Sequence, residues 1–164
     1  MASPIVDSPE GGLRLSTAGQ TILSAVTDAA ATLLYDLPGK QYVTTGAAVF
    51  DCEQVAVSLL NVRSGIGLGQ GSELVQGGPG CDIGWTLIAE VAIVRCGPTP
   101  NVKGTISADK LNAGTTQSSK DLFVLLEAIE NLASSSFGGF SASLVPEDIQ
   151  GGFVSVSATI TTVF

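Results

Sequence analysis

The segment from Gly84 to Cys96 constrains the fold of this chain more than any other. Trp85, Leu87, Ala89, Val91 and Ile93 alternate with Thr86, Ile88, Glu90, Ala92 and Val94. A strand built from them is largely apolar on both faces. It belongs in the middle of a sheet, partly covered on both sides. Gly97-Pro98-Thr99-Pro100 ends it.

A central strand needs neighbours, and the sequence offers several. Gln41 to Phe50 is rich in Tyr, Val and Thr and reads as a strand, with Gly46 a bulge position. Asp51 to Val62 reads as a second strand, with a short helix as the alternative. Val55, Val57 and Leu59 would share one face, and Ala56, Ser58 and Leu60 the other. Phe140 to Val145 is a short strand candidate. Gly152 to Phe164 alternates Val154, Val156, Ala158 and Ile160 with Ser155, Ser157, Thr159 and Thr161, the pattern of a half-buried strand with one wet or partner-facing side.

Two helices complete the set. Leu15, Ala18, Ile22, Val26, Ala29 and Leu33 recur at helical spacing from a start near Arg14 or Ser16, and Leu37-Pro38-Gly39 closes the run. Ser107 can cap a second helix, with Asn112-Ala113-Gly114 a point of weakness where it would kink. Its stripe is expected at Leu122, Leu125, Leu126, Ile129 and Leu132. The fold class is therefore α+β. A mainly antiparallel sheet of four to five strands carries two helices on one face, in the order α-β-β-β-α-(β)-β. The 164 residues suit one domain, read as 1–164, with residues 1–12 a flexible N-terminus and 64–80 a long glycine-rich loop.

Charge narrows the function. Fifteen acidic residues stand against seven basic ones, a net of −8. The scattered lysines and arginines make no basic face for phosphates, which excludes a sequence-specific nucleic-acid binder. There is no histidine, so no Ser-His-Asp or Cys-His nucleophile and no His-bearing metal site. Cys52, Cys81 and Cys96 are odd in number and far apart, so they read as reduced thiols of a reducing compartment rather than a disulfide framework. The N-terminus has no signal-peptide pattern, and no apolar run is long enough for a membrane span.

Chemistry-bearing motifs are few. Gly65-Ile66-Gly67-Leu68-Gly69 lacks the following helix that a dinucleotide fingerprint requires. Asp51 and Glu53 would point the same way on a strand and bracket Cys52, the best candidate for carboxylate catalysis in the chain. A Cys52 nucleophile would need an activating base. Arg95, beside Cys96, is expected to pair with Glu53 or Asp51 of the neighbouring strand.

Tyr42-Val43-Thr44-Thr45-Gly46, Asp51-Cys52-Glu53-Gln54, Gly80-Cys81-Asp82, Val94-Arg95-Cys96-Gly97-Pro98 and Gln150-Gly151-Gly152-Phe153 follow one another in an order that resembles the tail terminator proteins of long-tailed phages infecting actinobacteria. The resemblance runs from about Leu15 to Ile160. It implies helices on one side of a sheet, in a subunit of a hexameric ring at the head-proximal end of the tail tube. Such a ring stops addition of the major tail tube protein and docks the head-tail connector or stopper. DNA passes through its lumen without sequence-specific binding. It also implies a virion protein assembled in the bacterial host cytoplasm, with no enzymatic activity, cofactor, metal or membrane. By matching position Cys52, Glu53, Gln54, Arg95 and Cys96 carry the pattern, holding the fold and subunit contacts. In the glycine-rich loop, which departs from the family, Ser64, Gly67, Gln70, Glu73 and Gln76 are the candidates for partner contact. The rival readings are another connector or tube-like protein, a small enzyme using Asp51 or Glu53, and a small-molecule binder.

Overall fold

The structure, a computed structural model, describes residues 9–49, 51–64, 85–134, 139–146 and 152–163. In chain order the elements are α1 (Pro9–Thr32), β1 (Lys40–Thr45), β2 (Gln54–Ser64), β3 (Trp85–Cys96), α2 (Ala108–Ala133), β4 (Gly139–Pro146) and β5 (Phe153–Val163). The strands form one sheet in the order β1-β2-β3-β5-β4, so the doubly apolar β3 lies at its centre. The expected α+β class and element order both hold.

Register explains the core. Val55, Ile93 and Val156 lie side by side across β2, β3 and β5; so do Val57, Val91 and Ala158, and then Leu59, Ala89 and Ile160. This face is buried against Ala18, Ile22, Val26 and Ala29 of α1 and Val124, Leu125, Ala128 and Leu132 of α2. Gly19 lets α1 come down on the sheet, since a Cβ there would meet Val43 Cγ1 at 2.5 Å. On the opposite face Ala56, Ser58, Ala92, Val94 and Ser157 are also buried and Ile88 and Glu90 half-buried, so β3 is partly covered on both sides as its sequence requires. Ser157 was expected on a wet side of β5 and is not. A register shift between Leu59 and Asn61 bulges β2 at Leu60, which breaks the alternation and leaves Leu60 partly exposed.

Three pairings are antiparallel, but β1 runs parallel to β2, Lys40 opposite Gln54. The short turn expected between these strands is instead a return crossing. It needs little chain because β1 has only six residues, about 20 Å of strand. β1 ends at Thr45, not at Phe50, and Gly46 turns the chain at φ +82° rather than bulging the strand. Tyr42 Oη and Gln54 Nε2 both donate to the Val49 carbonyl, at 3.1 and 3.0 Å, pinning the crossing over the sheet face away from the helices.

The helices differ from expectation in detail. α1 starts at Pro9, ahead of Arg14, because proline suits a first turn that needs no N–H partner. It ends in a Schellman motif: Tyr35 N donates to Ala30 O, Leu34 N to Ala31 O, and Leu34 takes φ +51°. Leu33 therefore falls past the helix and is 43% exposed instead of closing the stripe. α2 is one uninterrupted helix capped by the Ser107 side chain, without the expected kink at Asn112-Ala113-Gly114. Its buried stripe is Asp121, Val124, Leu125, Ala128 and Leu132, rotated so that Leu126 faces outward. No helix of the described residues is long and apolar enough to cross a membrane.

Candidate functional site

The start of β2, the end of β3 and the start of β5 meet at one end of the sheet. Antiparallel register sets Gln54 opposite Val94, and Cys96 opposite Phe153. Three of the five sequence pieces behind the family resemblance meet here, the last through Gly152 and Phe153, while Tyr42 to Gly46 runs away from this end along β2 to Leu59. Gly97 N donates to Gly152 O at 2.6 Å, and a Cβ on Gly97 would lie 2.8 Å from that oxygen. The close approach of the two backbones requires glycine there.

Arg95 is the hub. Its side chain is 14% exposed. Nε donates to Asp121 Oδ2 at 3.2 Å and Nη2 to Asp121 Oδ1 at 3.0 Å, a bidentate pair. Nη1 donates to Glu53 Oε2 at 3.1 Å, and Nη2 also reaches Tyr35 Oη at 3.3 Å and the Asp36 carbonyl at 3.0 Å. Tyr35 Oη donates to Asp121 Oδ1 at 2.8 Å and accepts from Gln117 Nε2. The other Glu53 oxygen accepts from Cys96 N at 3.2 Å. One guanidinium thus ties β3 to the start of β2, to α2 and to the segment after α1.

The electrostatics follow from that geometry. Burial pulls the Arg95 pKa down, but the hydrogen bonds to Asp121, the charge of Asp121 and the bond to Glu53 outweigh it and raise the pKa above its ordinary value. Tyr35 is pushed up to about 12, first by burial and then by its hydrogen bond to Asp121. Asp121 is 1% exposed, a depth at which a carboxylate is tolerated only when paired and hydrogen-bonded.

The sequence pairing of Arg95 with Glu53 holds. Asp51 is not a partner: it forms an exposed ion pair with Lys40 at 3.5 Å and accepts from Cys52 N at 2.8 Å. Asp51 and Glu53 are each engaged by a different cation and do not converge as a catalytic pair would. Asp121 and Tyr35 were missed. The legible signal was Asp121 itself, an acid in register with Val124, Leu125, Ala128 and Leu132 on the buried stripe of α2.

Cys52 and Cys96 form a disulfide, with their Cα atoms 4.8 Å apart. This corrects the reading of both as reduced, buried thiols. The residues are far apart in sequence, but the β2–β3 register brings them together, and Cys52 is half-buried while Cys96 is exposed. Glu53 follows at φ +56°, a left-handed conformation uncommon for a residue with a side chain. Gln54 is fully buried, and its Oε1 has no hydrogen-bond partner among the described residues.

Ser64 ends β2, while Gly67, Gln70, Glu73, Gln76 and the loop of 64–80 beyond Ser64 lie outside the described residues, as do Cys81 and residues 1–8. Among the described residues no group of three or more His, Cys, Asp or Glu is placed to hold a metal ion. A cleft of about 310 Å3 opens between the end of α1 and α2, lined by Leu33, Leu34, Tyr35, Lys120, Phe123 and Val124. Neither Asp51 nor Glu53 lines it. The Arg95 assembly has the chemistry of a fastening: a fully engaged cation, a buried anion and a covalent bridge, closing one end of the sheet onto both helices. No protein-family model matches the chain, and no curated protein matches it.

Proposed function

We propose that the chain is a structural subunit of a phage tail, a terminator that assembles as a hexameric ring on the head-proximal end of the tail tube. The observation that carries this reading is the convergence of three resemblance-bearing pieces. The Cys52-Glu53-Gln54 turn, the Arg95-Cys96-Gly97 strand end and Gly152-Phe153 assemble into one mechanical corner, built from hydrogen bonds, an ion-pair network and a disulfide. A subunit that works by contact and bears load needs such a corner; a catalyst needs free groups facing a substrate.

The charge supports the same reading. A net of −8 keeps a ring lumen from holding the DNA that passes through it. A ring closes through two different patches on each subunit. The tube protein would meet one end of the ring and the head connector the other, placing the protein at the neck of the virion.

The experiment is tail length by negative-stain microscopy after disruption of this gene alone. Abnormally long, headless tails are expected, because tube growth has lost its stop. Tails of normal length beside unattached, DNA-filled heads would transfer the protein to the connector side of the joint. Intact infectious particles would overturn the structural role and return attention to Asp51 and Glu53.

A further inference from the structure

We propose that the Cys52–Cys96 pair is a reversible thiol–disulfide exchange site, entered by low-molecular-weight thiols at Cys96. Two observations carry it, and neither depends on the role proposed above. The first is unequal access. Cys96, the last residue of β3, is exposed, whereas Cys52, just before β2, is half-buried. Exchange requires a thiolate to reach one sulfur of the bridge, and exposed bridges are the labile ones.

The second is that the two cysteines stay adjacent without the bridge. Glu53 bonds both Cys96 N and Arg95, and Arg95 is anchored to the buried Asp121. The β2–β3 ladder continues to Gln54 opposite Val94, immediately inside the pair. Reduction leaves these contacts intact, so re-formation of the bridge is intramolecular and favoured by the high effective concentration of held groups.

The chemistry is a balanced displacement. The thiolate of a small thiol attacks Cys96 Sγ and forms a mixed disulfide with it. The Cys52–Cys96 sulfur bond breaks, its electron pair leaves on Cys52 Sγ, and that thiolate takes up a proton. In the reverse direction Cys52 thiolate attacks the same Cys96 sulfur and expels the small thiol. A second small thiol attacking its own sulfur in the mixed disulfide leaves both cysteines reduced and carries away the two electrons' worth of oxidation as a symmetric disulfide.

The test uses the full chain in a Cys81→Ser background, equilibrated in glutathione buffers of graded reduced-to-oxidised ratio, then acid-quenched, alkylated and mapped by mass spectrometry. The expected result is a bridge that opens and re-forms along one curve approached from either side. With Cys52→Ser added, one glutathione accumulates on Cys96; with Cys96→Ser instead, Cys52 is modified at least about tenfold more slowly, as its lower access dictates. A bridge that stays closed at every ratio, or fails to re-form after opening, overturns the proposal. So does faster modification of Cys52 than of Cys96. The graded titration needs no substitution at either cysteine, so the proposal stays testable if a serine variant misfolds.

Discussion

Asp121 receives Arg95 through both of its oxygens, at 3.0 and 3.2 Å, from the buried face of α2 to the end of β3. These residues are 26 positions apart in sequence, and their pairing is what fastens the second helix to the sheet end. Removing Arg95 takes the charge partner from a carboxylate buried out of reach of water, whereas removing Asp121 leaves Arg95 paired with Glu53.

Arg95→Ala should therefore cost about 3–5 kcal/mol, the range for an uncompensated buried charge. Arg95→Lys keeps the charge but not the planar fork, so its cost should fall between zero and the alanine value. Urea denaturation of both variants checks the order. An Arg95→Ala protein as stable as the parent would remove the network from the fold's energetics.

Tyr35 supplies a pH prediction. Its pKa is raised from 10.0 to about 12, so the folded state holds the phenol proton more tightly than the unfolded chain does. The stabilisation is fully present below about pH 10 and is lost as pH rises towards 12. A Tyr42→Phe variant leaves Tyr35 as the single tyrosine, since the chain has two. Its phenolate absorbance should titrate well above pH 10. An ordinary midpoint would contradict the hydrogen bond to Asp121.

Breaking the Cys52–Cys96 bridge should destabilise the fold by about 2–4 kcal/mol, since it spans a sequence separation of 44 residues and its loss frees the unfolded chain. Thermal unfolding with and without a phosphine reductant measures this. The Cys52→Ser variant should show no further response to reductant.

Leu34 is a site where substitution should stabilise. It holds φ +51° at the end of α1 and is 95% exposed. A glycine there relieves a left-handed strain of roughly 1–2 kcal/mol, offset in part by greater freedom of the unfolded chain. Leu34→Gly should raise the urea midpoint, with a net gain of about 0.5–1 kcal/mol. Gly97→Ala should do the opposite by about 1–3 kcal/mol, because its Cβ would meet the rigid carbonyl of Gly152.

Much of the fold was legible in local pattern. The apolar alternation of β3, the helical spacing of Ala18, Ile22, Val26 and Ala29, and the Ser107 cap are all written over a few neighbouring residues, and each appears where that pattern placed it. The Arg95–Glu53 pair was legible too, because antiparallel neighbours bring a strand start beside a strand end. The disulfide was not: cysteine spacing alone cannot say that residues 52 and 96 share one end of a ladder. Asp121 stayed hidden because a charged residue on an apolar stripe is ordinarily assigned to the solvated side.

Local periodicity and hydropathy, which act within a single element, placed both helices, the body of each strand and the central position of β3. The parallel course of β1, the outward turn of Leu126, and the meeting of Arg95, Asp121, Tyr35 and the Cys52–Cys96 bridge arise only in the packed molecule. Those depend on register and on the rotation of a helix over the sheet. Burial makes a misplaced charge costly enough to select one arrangement, and that burial exists only once the elements have packed.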